Sequence, residues 1–309
     1  MRVNTLIVFV GLAGLLCRMA PLEAALSPDS RGTASVAFLS MAADARAAGL
    51  GNAMTAIADD ATAMNWNPAG MLQIESMSAS LMQAAYVGDS RFGSASFGGR
   101  FLKDWAAGFS YRQMTAGTVQ RTDESGNDLG SFRPMDFSAG AGMAWRSEEN
   151  AVGAVVKRIQ SQLEDKASTW AMDFGFRSKP FRDDRVALGL ALRNVGGKIK
   201  YQSATESLPT VVSGGLSFQA RKDWLLVAEM NLPSNDQAAV ALAAEHAQRL
   251  TSTMSVFGRF GYNTSQGRSA DGFSAGMGAL VSAMRLDYAL NLQGSSNRPT
   301  HIFSLSYAF

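Results

Sequence analysis

Residues 136–145 read DFSAGAGMAW, Asp136 to Trp145, and their parity decides the fold. Phe137, Ala139, Ala141, Met143 and Trp145 hold one set of alternate positions, while Asp136, Ser138, Gly140, Gly142 and Ala144 hold the other. Successive side chains of a strand point to opposite faces, so the stretch makes a ribbon with one apolar side and one small or polar side. A secreted β-sandwich has the same period, but its outward face carries Lys, Glu and Thr. Here the second face is small and nearly uncharged. That suits the lumen of a membrane barrel whose apolar face meets lipid.

The alternation recurs along the chain. Trp105, Phe109 and Tyr111 alternate with Ala106, Gly108 and Arg112; Trp170, Met172 and Phe174 with Ala171, Asp173 and Gly175; Leu226 and Met230 with Val227 and Glu229; Leu286 and Tyr288 with Asp287 and Ala289. Counting weaker cases, strands are expected near residues 76–87, 92–102, 104–115, 132–146, 150–163, 168–178, 184–195, 209–220, 223–232, 237–247, 252–263, 271–282, 284–293 and 300–309. That is fourteen, most of them about ten residues long, the length a tilted strand needs to cross a bilayer.

Two further signals agree. Links of a few residues, such as Arg221-Lys222, alternate with long polar ones, Gly117 to Ser131 and Gly196 to Pro209, as barrels alternate periplasmic turns with external loops. The links after the first, fifth and ninth strands are short for external loops. Trp105, Trp145, Trp170 and Trp224 fall at strand ends on the apolar face, where an aromatic girdle is expected. The expected fold is therefore all-β, a 14-stranded antiparallel transmembrane β-barrel.

Composition sets the outer bounds. Charged residues are 17% of the 309-residue chain, below the usual quarter, with Gly 30 and Met 16 generous. A net charge of +2 and no basic run with interleaved aromatics exclude nucleic acid as a partner. Arg2, the apolar run Leu6–Leu16 and the small exit at Ala24 or Ala25 read as a signal peptide over residues 1–25. A lipoprotein reading would use Cys17, but Leu16 stands where a small residue is wanted. Cys17 is the only cysteine, so the exported chain has neither a disulfide framework nor a thiolate metal site.

One stretch breaks the pattern: DDATAMNWNPAGM, Asp59 to Met71. Asp59 or Asp60 can cap a helix over Ala61–Trp66, Asn67 before Pro68 is pushed toward extended geometry, and Gly70 allows a turn into the first strand. A capped helix ended by a proline turn accounts for these residues without any function.

The wider run ADARAAGLGNAMTAIADDATAMNWNPAGM resembles the N-terminal signature of the PorV/PorQ family of outer-membrane proteins, and LGLALRNVGGKIKY, LPTVVSGGLSF and the end HIFSLSYAF extend the resemblance more loosely. That family is in turn similar to the fatty-acid uptake barrel FadL, whose N-terminal segment folds into the lumen. The resemblance implies a helical plug or hatch over residues 26–75, with Ser35 to Gly70 inside a barrel of residues 76–309. Its motif residues are Arg46, Gly49, Gly51, Asp59, Asp60, Asn65, Trp66, Asn67, Pro68 and Gly70. Ser138, Gly140, Gly142 and Ala144 would make room for it. Asp136, Asp173, Arg177, Arg193, Glu229, Arg285 and Asp287 would line the lumen, more often solvated than paired. The alternating end Phe303, Leu305, Tyr307, Phe309 reads as a barrel-assembly signal, with Phe309 engaging the assembly machinery.

No enzymatic chemistry is expected. His246 and His301 lie in different strands without a supporting acid or thiol pattern, so neither a catalytic nor a metal role follows, and no cofactor is implied. GLGNAM lacks the third glycine of a dinucleotide loop. The Asn263-Thr-Ser match to a glycosylation acceptor is read as chance. By resemblance, three roles stand open: a carrier or docking barrel in type IX protein secretion that receives C-terminal domains of cargo, a passive transporter of hydrophobic small molecules, or a structural partner in the outer-membrane lipid.

Overall fold

The computed structural model describes residues 35–86, 88–147, 149–163, 165–201, 205–266, 272–292 and 299–309. The expected signal peptide, Cys17 and the first part of the expected plug lie outside them. Fourteen antiparallel strands form one closed barrel. They are β1 (Met77–Ala85), β2 (Arg91–Leu102), β3 (Trp105–Thr115), β4 (Met135–Ser147), β5 (Asn150–Gln162), β6 (Lys166–Arg177), β7 (Val186–Gly196), β8 (Val211–Arg221), β9 (Trp224–Pro233), β10 (Ala239–Arg249), β11 (Met254–Asn263), β12 (Phe273–Val281), β13 (Met284–Asn291) and β14 (Thr300–Ala308). Each pairs with its neighbours in sequence, and β1 closes the ring on β14 through Leu81 opposite Leu305. Closure leaves no unpaired edge, the condition for a sheet to stand in hydrocarbon. The expected fourteen strands are all present, with ends shifted by a few residues.

The barrel is turned inside out relative to a soluble protein. Leu81, Phe109, Met143, Leu216, Leu242 and Met277 stand exposed on its outer face, while Arg112, Lys157, Asp173, Glu229, Arg259 and Asp287 are buried within. An apolar belt of this extent in water would be an aggregation surface; against acyl chains it is a match. Among the described residues no helix is long and apolar enough to cross a membrane.

One rim carries the short connections and the other the longer loops. Two of these loops fold into small hairpins of their own, Val119–Thr122 with Asp128–Phe132 and Ile199–Lys200 with Thr205–Glu206. Their polar sequences show no two-residue period, which is why the alternation did not reveal them.

The inner face departs from the small-or-polar rule at a few places. Phe92 of β2, Val155 and Ile159 of β5 and Ile302 of β14 point inward and are fully buried. They do so because the lumen is not aqueous there: residues 36–74 fill it. This inner segment consists of a 3-10 turn Ala37–Ser40, the short helix α1 (Ala45–Gly49) and two further 3-10 helices, Ala61–Asn65 and Pro68–Gln73. Phe38 and Leu39 share a buried cluster with Phe92, Ile159 and Ile302, and Met64, Trp66 and Met71 share another with Val155.

An arginine placed at Met277, mid-strand and 63% exposed on the outer face, should cost about 2–4 kcal/mol of stability by the depth dependence of charged residues facing lipid. Ser252→Arg, in the turn between β10 and β11, should cost close to nothing. Urea unfolding of both variants in lipid vesicles checks this, and equal stabilities would contradict the lipid-facing assignment.

Candidate functional site: the filled lumen

The inner segment is mostly irregular, so its carbonyls lack the partners a long helix would supply. Wall arginines provide them. Arg112 of β3 donates to the carbonyls of Leu39 at 3.0 Å, Phe38 at 2.9 Å and Met41 at 2.6 Å. Arg177 reaches Ala56 at 3.2 Å, Arg193 Asn65 at 3.4 Å, Arg146 Leu72 at 2.9 Å and Arg100 Ile74 at 3.3 Å. The planar guanidinium fork, with its several donors, suits this task better than an ammonium would.

Asp44 caps α1, accepting from the Ala47 amide at 2.6 Å and from the Thr62 hydroxyl at 2.7 Å. Arg46, on the first turn, enters a buried ionic cluster. It meets Asp59 at 2.5 Å and both oxygens of Glu245 at 3.2 Å. Glu245 also binds Arg259 at 2.5 Å, Arg259 binds Asp287 at 2.8 Å, and Arg285 lies 3.0 Å from Asp287 and 3.6 Å from Glu245. Three cations, Arg46, Arg259 and Arg285, thus face two buried anions, Glu245 and Asp287, and the exposed Asp59 at the edge of the cluster. Gly278 of β12 leaves the space: a Cβ there would lie 2.1 Å from Asp287 Oδ1. On the opposite wall Lys157 binds both oxygens of Asp173 at 2.7 and 2.6 Å and Asn194 at 2.6 Å.

Lumen charge is therefore paired where the sequence reading leaned toward solvated charge. Asp173, Arg285 and Asp287 belong to ion pairs, Arg193 stacks over Trp66 at 5.3 Å, and Glu229 accepts from the Thr55 amide at 2.7 Å. Asp136 is half-buried. Arg112 lies on the polar face that its parity gives it, while Lys157, Glu245 and Arg259 are lumen charges that the sequence reading does not single out. Strand parity would have found them, since Glu245 shares the buried face of Ala241 and Ala243.

The Asn-Pro-Ala stretch sits against a window of glycines. Asn67 donates to the carbonyls of Thr55 at 2.7 Å and Phe176 at 2.9 Å and caps the following helix through Ala69 at 3.1 Å. A Cβ on Gly175 would lie 2.1 Å from Asn67 Oδ1, one on Gly153 2.6 Å from the Pro68 carbonyl carbon, and one on Gly189 2.1 Å from Thr55 O. Gly49 abuts Gly276 in the same way, and Gly261 abuts Gly51. Gly140 and Gly142, expected to make this room, instead admit the side chains of Lys157 and Val155 from the next strand.

Other expectations fall as follows. Asp60, not Asp59, is the cap of Ala61–Asn65, accepting from the Thr62 amide at 2.8 Å, and that helix is 3-10 with Trp66 as its end. Asn65 donates to Ser96 Oγ at 3.3 Å. Gly70 lies inside Pro68–Gln73, not at a turn into β1; a Cβ there would strike Ala58 O at 2.3 Å. Gly51 does turn the chain, with φ +60° directly after α1. Asn263 is buried and donates to Gly51 O at 2.7 Å, which explains it without glycosylation.

Trp105, Trp145 and Trp224 point outward at the short-turn rim, the first two paired in register with rings 6.2 Å apart. Trp170, 61% exposed, lies five residues into β6 toward the loop rim. Phe303, Leu305, Tyr307 and Phe309 all point outward, and the Phe309 amide bonds to Met77 O at 2.9 Å, joining the last residue to the first strand. His246 stacks on Trp224 and His301 bonds to Tyr288, far apart in the ring. In the exposed loop hairpin, Asn127 holds the Asp123 carboxyl below its usual range by hydrogen bonding.

The outer wall over β6–β10 has an apolar hollow of about 430 Å³, lined by Leu188, Leu190, Leu216, Met230 and Val240 around Gly214. Gly189 and Gly215 form part of its lining, and Thr55 and Ala56 of the inner segment press on their inner side. The membrane face and the inner segment are here one backbone apart.

A family model described as "Type IX secretion system protein PorV" matches residues 27–231. No curated protein matches the chain. Among solved structures, the Pseudomonas putida toluene transporter TodX is similar over 85% of this chain and 97% of its own, with TM-score 0.60 and 12% identity. The Ralstonia pickettii toluene transporter TbuX aligns over 86% and 98% with TM-score 0.58 and 13% identity, and a Pseudomonas aeruginosa FadL homologue over 86% and 98% with 0.56 and 13%. At these identities the likeness is one of fold.

Arg46→Met should remove the contacts that tie the inner segment to Glu245, which keeps Arg259, and to the exposed Asp59, and should destabilise the segment by about 1.5–3 kcal/mol. Limited proteolysis of the folded barrel should then cut within residues 36–74 much faster than in the parent. Unchanged cleavage would mean that Arg46 does not hold the segment.

Proposed function

We propose that this chain, which belongs to the PorV family, is an outer-membrane docking barrel for protein secretion, exported by the signal peptide at residues 1–25, with residues 26–75 as a fixed plug. The observation that carries this reading is the way the lumen is occupied. A conduit needs a segment that leaves; this one is held by five wall arginines, the Arg46 cluster and a glycine window fitted to its backbone. What remains free to act is the outside of the molecule: the exposed loop hairpin Val119–Phe132, with Leu129 at its surface, and the lipid-facing wall. Cargo C-terminal domains would meet the barrel there, and no catalytic step is required of it. The outward aromatic end, closed onto β1 by Phe309, would serve recognition by the assembly machinery, and the tryptophans would anchor the rims.

A second reading, passive uptake of hydrophobic small molecules, is favoured by the hollow over β6–β10. Its apolar lining stands one backbone away from Thr55 and Ala56, where a modest shift of the plug would connect membrane and lumen.

In planar bilayers the intact protein should be closed and deletion of Ser35 to Gly70 should raise conductance; equal conductance would remove the plug from the account. Secreted proteins sharing one C-terminal domain should co-purify with the intact barrel. Apolar small molecules co-purifying in their place would favour the second reading and contradict the first.

A further inference from the structure

On the outer face of β5 and β6, the rungs nearest the loop rim break the apolar belt. Arg158 stands opposite Trp170, Gln160 opposite Ser168 and Gln162 opposite Lys166, all on the outward parity, in alternation with the buried Ile159 and Ser161. Below them the same column is apolar again, with Val156 opposite Met172 and Ala154 opposite Phe174. Other walls do not share this change: β8, β10 and β12 stay apolar to their loop-side ends, at Val212, Val240 and Phe273.

Arg158 is the member that needs an explanation. Among the described residues of the barrel strands it is the one Arg, Lys, Asp or Glu on the outer face that is neither the first nor the last residue of its strand. It lies six residues along β5 from Val152, which pairs with Trp145 near the short-turn rim. That is about 15 Å of height for a tilted strand, in an apolar band about 25 Å tall. A charge facing lipid costs most at the midplane and little at the interface, so this guanidinium is best placed when it extends toward the rim and meets an anion there. Among the described residues neither Arg158 nor Lys166 is in an ion pair. The turn joining the strands carries Glu164 and Asp165 in sequence, but the outward column itself holds no acid.

The column narrows the occupant. Its upper rungs offer a guanidinium, an ammonium, amides and a hydroxyl, which together favour a group rich in acceptors and negatively charged. Arg158 and Lys166 are four rungs apart along the strands, about 13 Å, so the two long side chains can close on one such group from below and above. A soluble anion would leave the apolar rungs beneath it uncovered, and a protein partner would have to carry an acid down to hydrocarbon depth. A lipid has both parts in the right order, and Trp170 stands at the boundary where amphipathic rings settle.

We propose that the outer face of β5 and β6 is a binding site for a phosphate-bearing membrane lipid of the loop-side leaflet, its phosphate held by Arg158 and Lys166 and an acyl chain laid over Val156, Met172 and Phe174. The site rests on the barrel alone and on neither reading of the function.

The test is native mass spectrometry of the purified barrel in an uncharged detergent, with phosphatidylglycerol, diphosphoryl lipid A and the neutral digalactosyl diacylglycerol added singly as probes. At least one phosphate lipid should be retained about fivefold or more above the neutral one, the scale of a single cation acting on an anionic lipid. Lys166→Gln should lower that retention about fivefold, and Arg158→Gln combined with it more than about tenfold. Arg91→Gln, which removes the outward cation at the start of β2, should leave it unchanged. Heat-shifted electrophoretic mobility reports whether each variant is a folded barrel. Equal retention of neutral and phosphate lipids, undiminished retention by folded Lys166→Gln, or an equal loss in Arg91→Gln would overturn the proposal.

Discussion

The structure depends on one constraint: a ring of fourteen strands is too wide to fill its own interior with side chains, and what fills it must bring backbone with it. Backbone in a confined lumen needs partners for every N–H and C=O. The inner segment meets part of this demand locally, through the Asp44, Asp60 and Asn67 caps. The rest comes from the wall, where Arg100, Arg112, Arg146, Arg177 and Arg193 each turn inward onto a carbonyl. The inward charge, the inward glycines and the few inward hydrophobes such as Phe92 and Ile159 all follow from having chain, not water, on that side.

This also explains why inward charges are paired across the wall and with the inner segment. Glu245, Arg259, Asp287 and Arg285 come from three strands of the wall, and Arg46 and Asp59 from the segment inside. Buried charge is tolerable when balanced and hydrogen-bonded and costly when one member is withdrawn. Such a cluster fixes a position more than it adds stability.

The sequence made the wall legible because parity survives every local accident: one residue of error would turn Phe109 or Met143 into the lumen. It narrowed one cap to the adjacent pair Asp59 and Asp60, because a cap acts within two or three residues of itself, while Asn67 read only as extended before Pro68 and turns out to cap the helix that follows. It could not show which glycines receive the inner segment, since Gly140 and Gly175 look alike until the backbone crossing them is known. Nor could it show the Arg46 cluster, whose members are separated by up to 241 positions between Arg46 and Asp287. Gly70 and the loop hairpins failed for local reasons: close approach looks like turn freedom, and short polar strands carry no period.

The position of α1 inside the ring is the most direct point to measure. The Ala45 amide lies 3.1 Å from Ser304 Oγ on β14, which brings the two Cα atoms within about 7 Å, inside the reach of a disulfide. With Cys17 replaced, the double variant Ala45→Cys, Ser304→Cys should form that bond on mild oxidation in the folded barrel, detected as a mobility shift reversed by reductant. Two thiols that stay free and react with a membrane-impermeant maleimide, in a barrel that is otherwise folded, would place the segment outside the lumen and contradict the account.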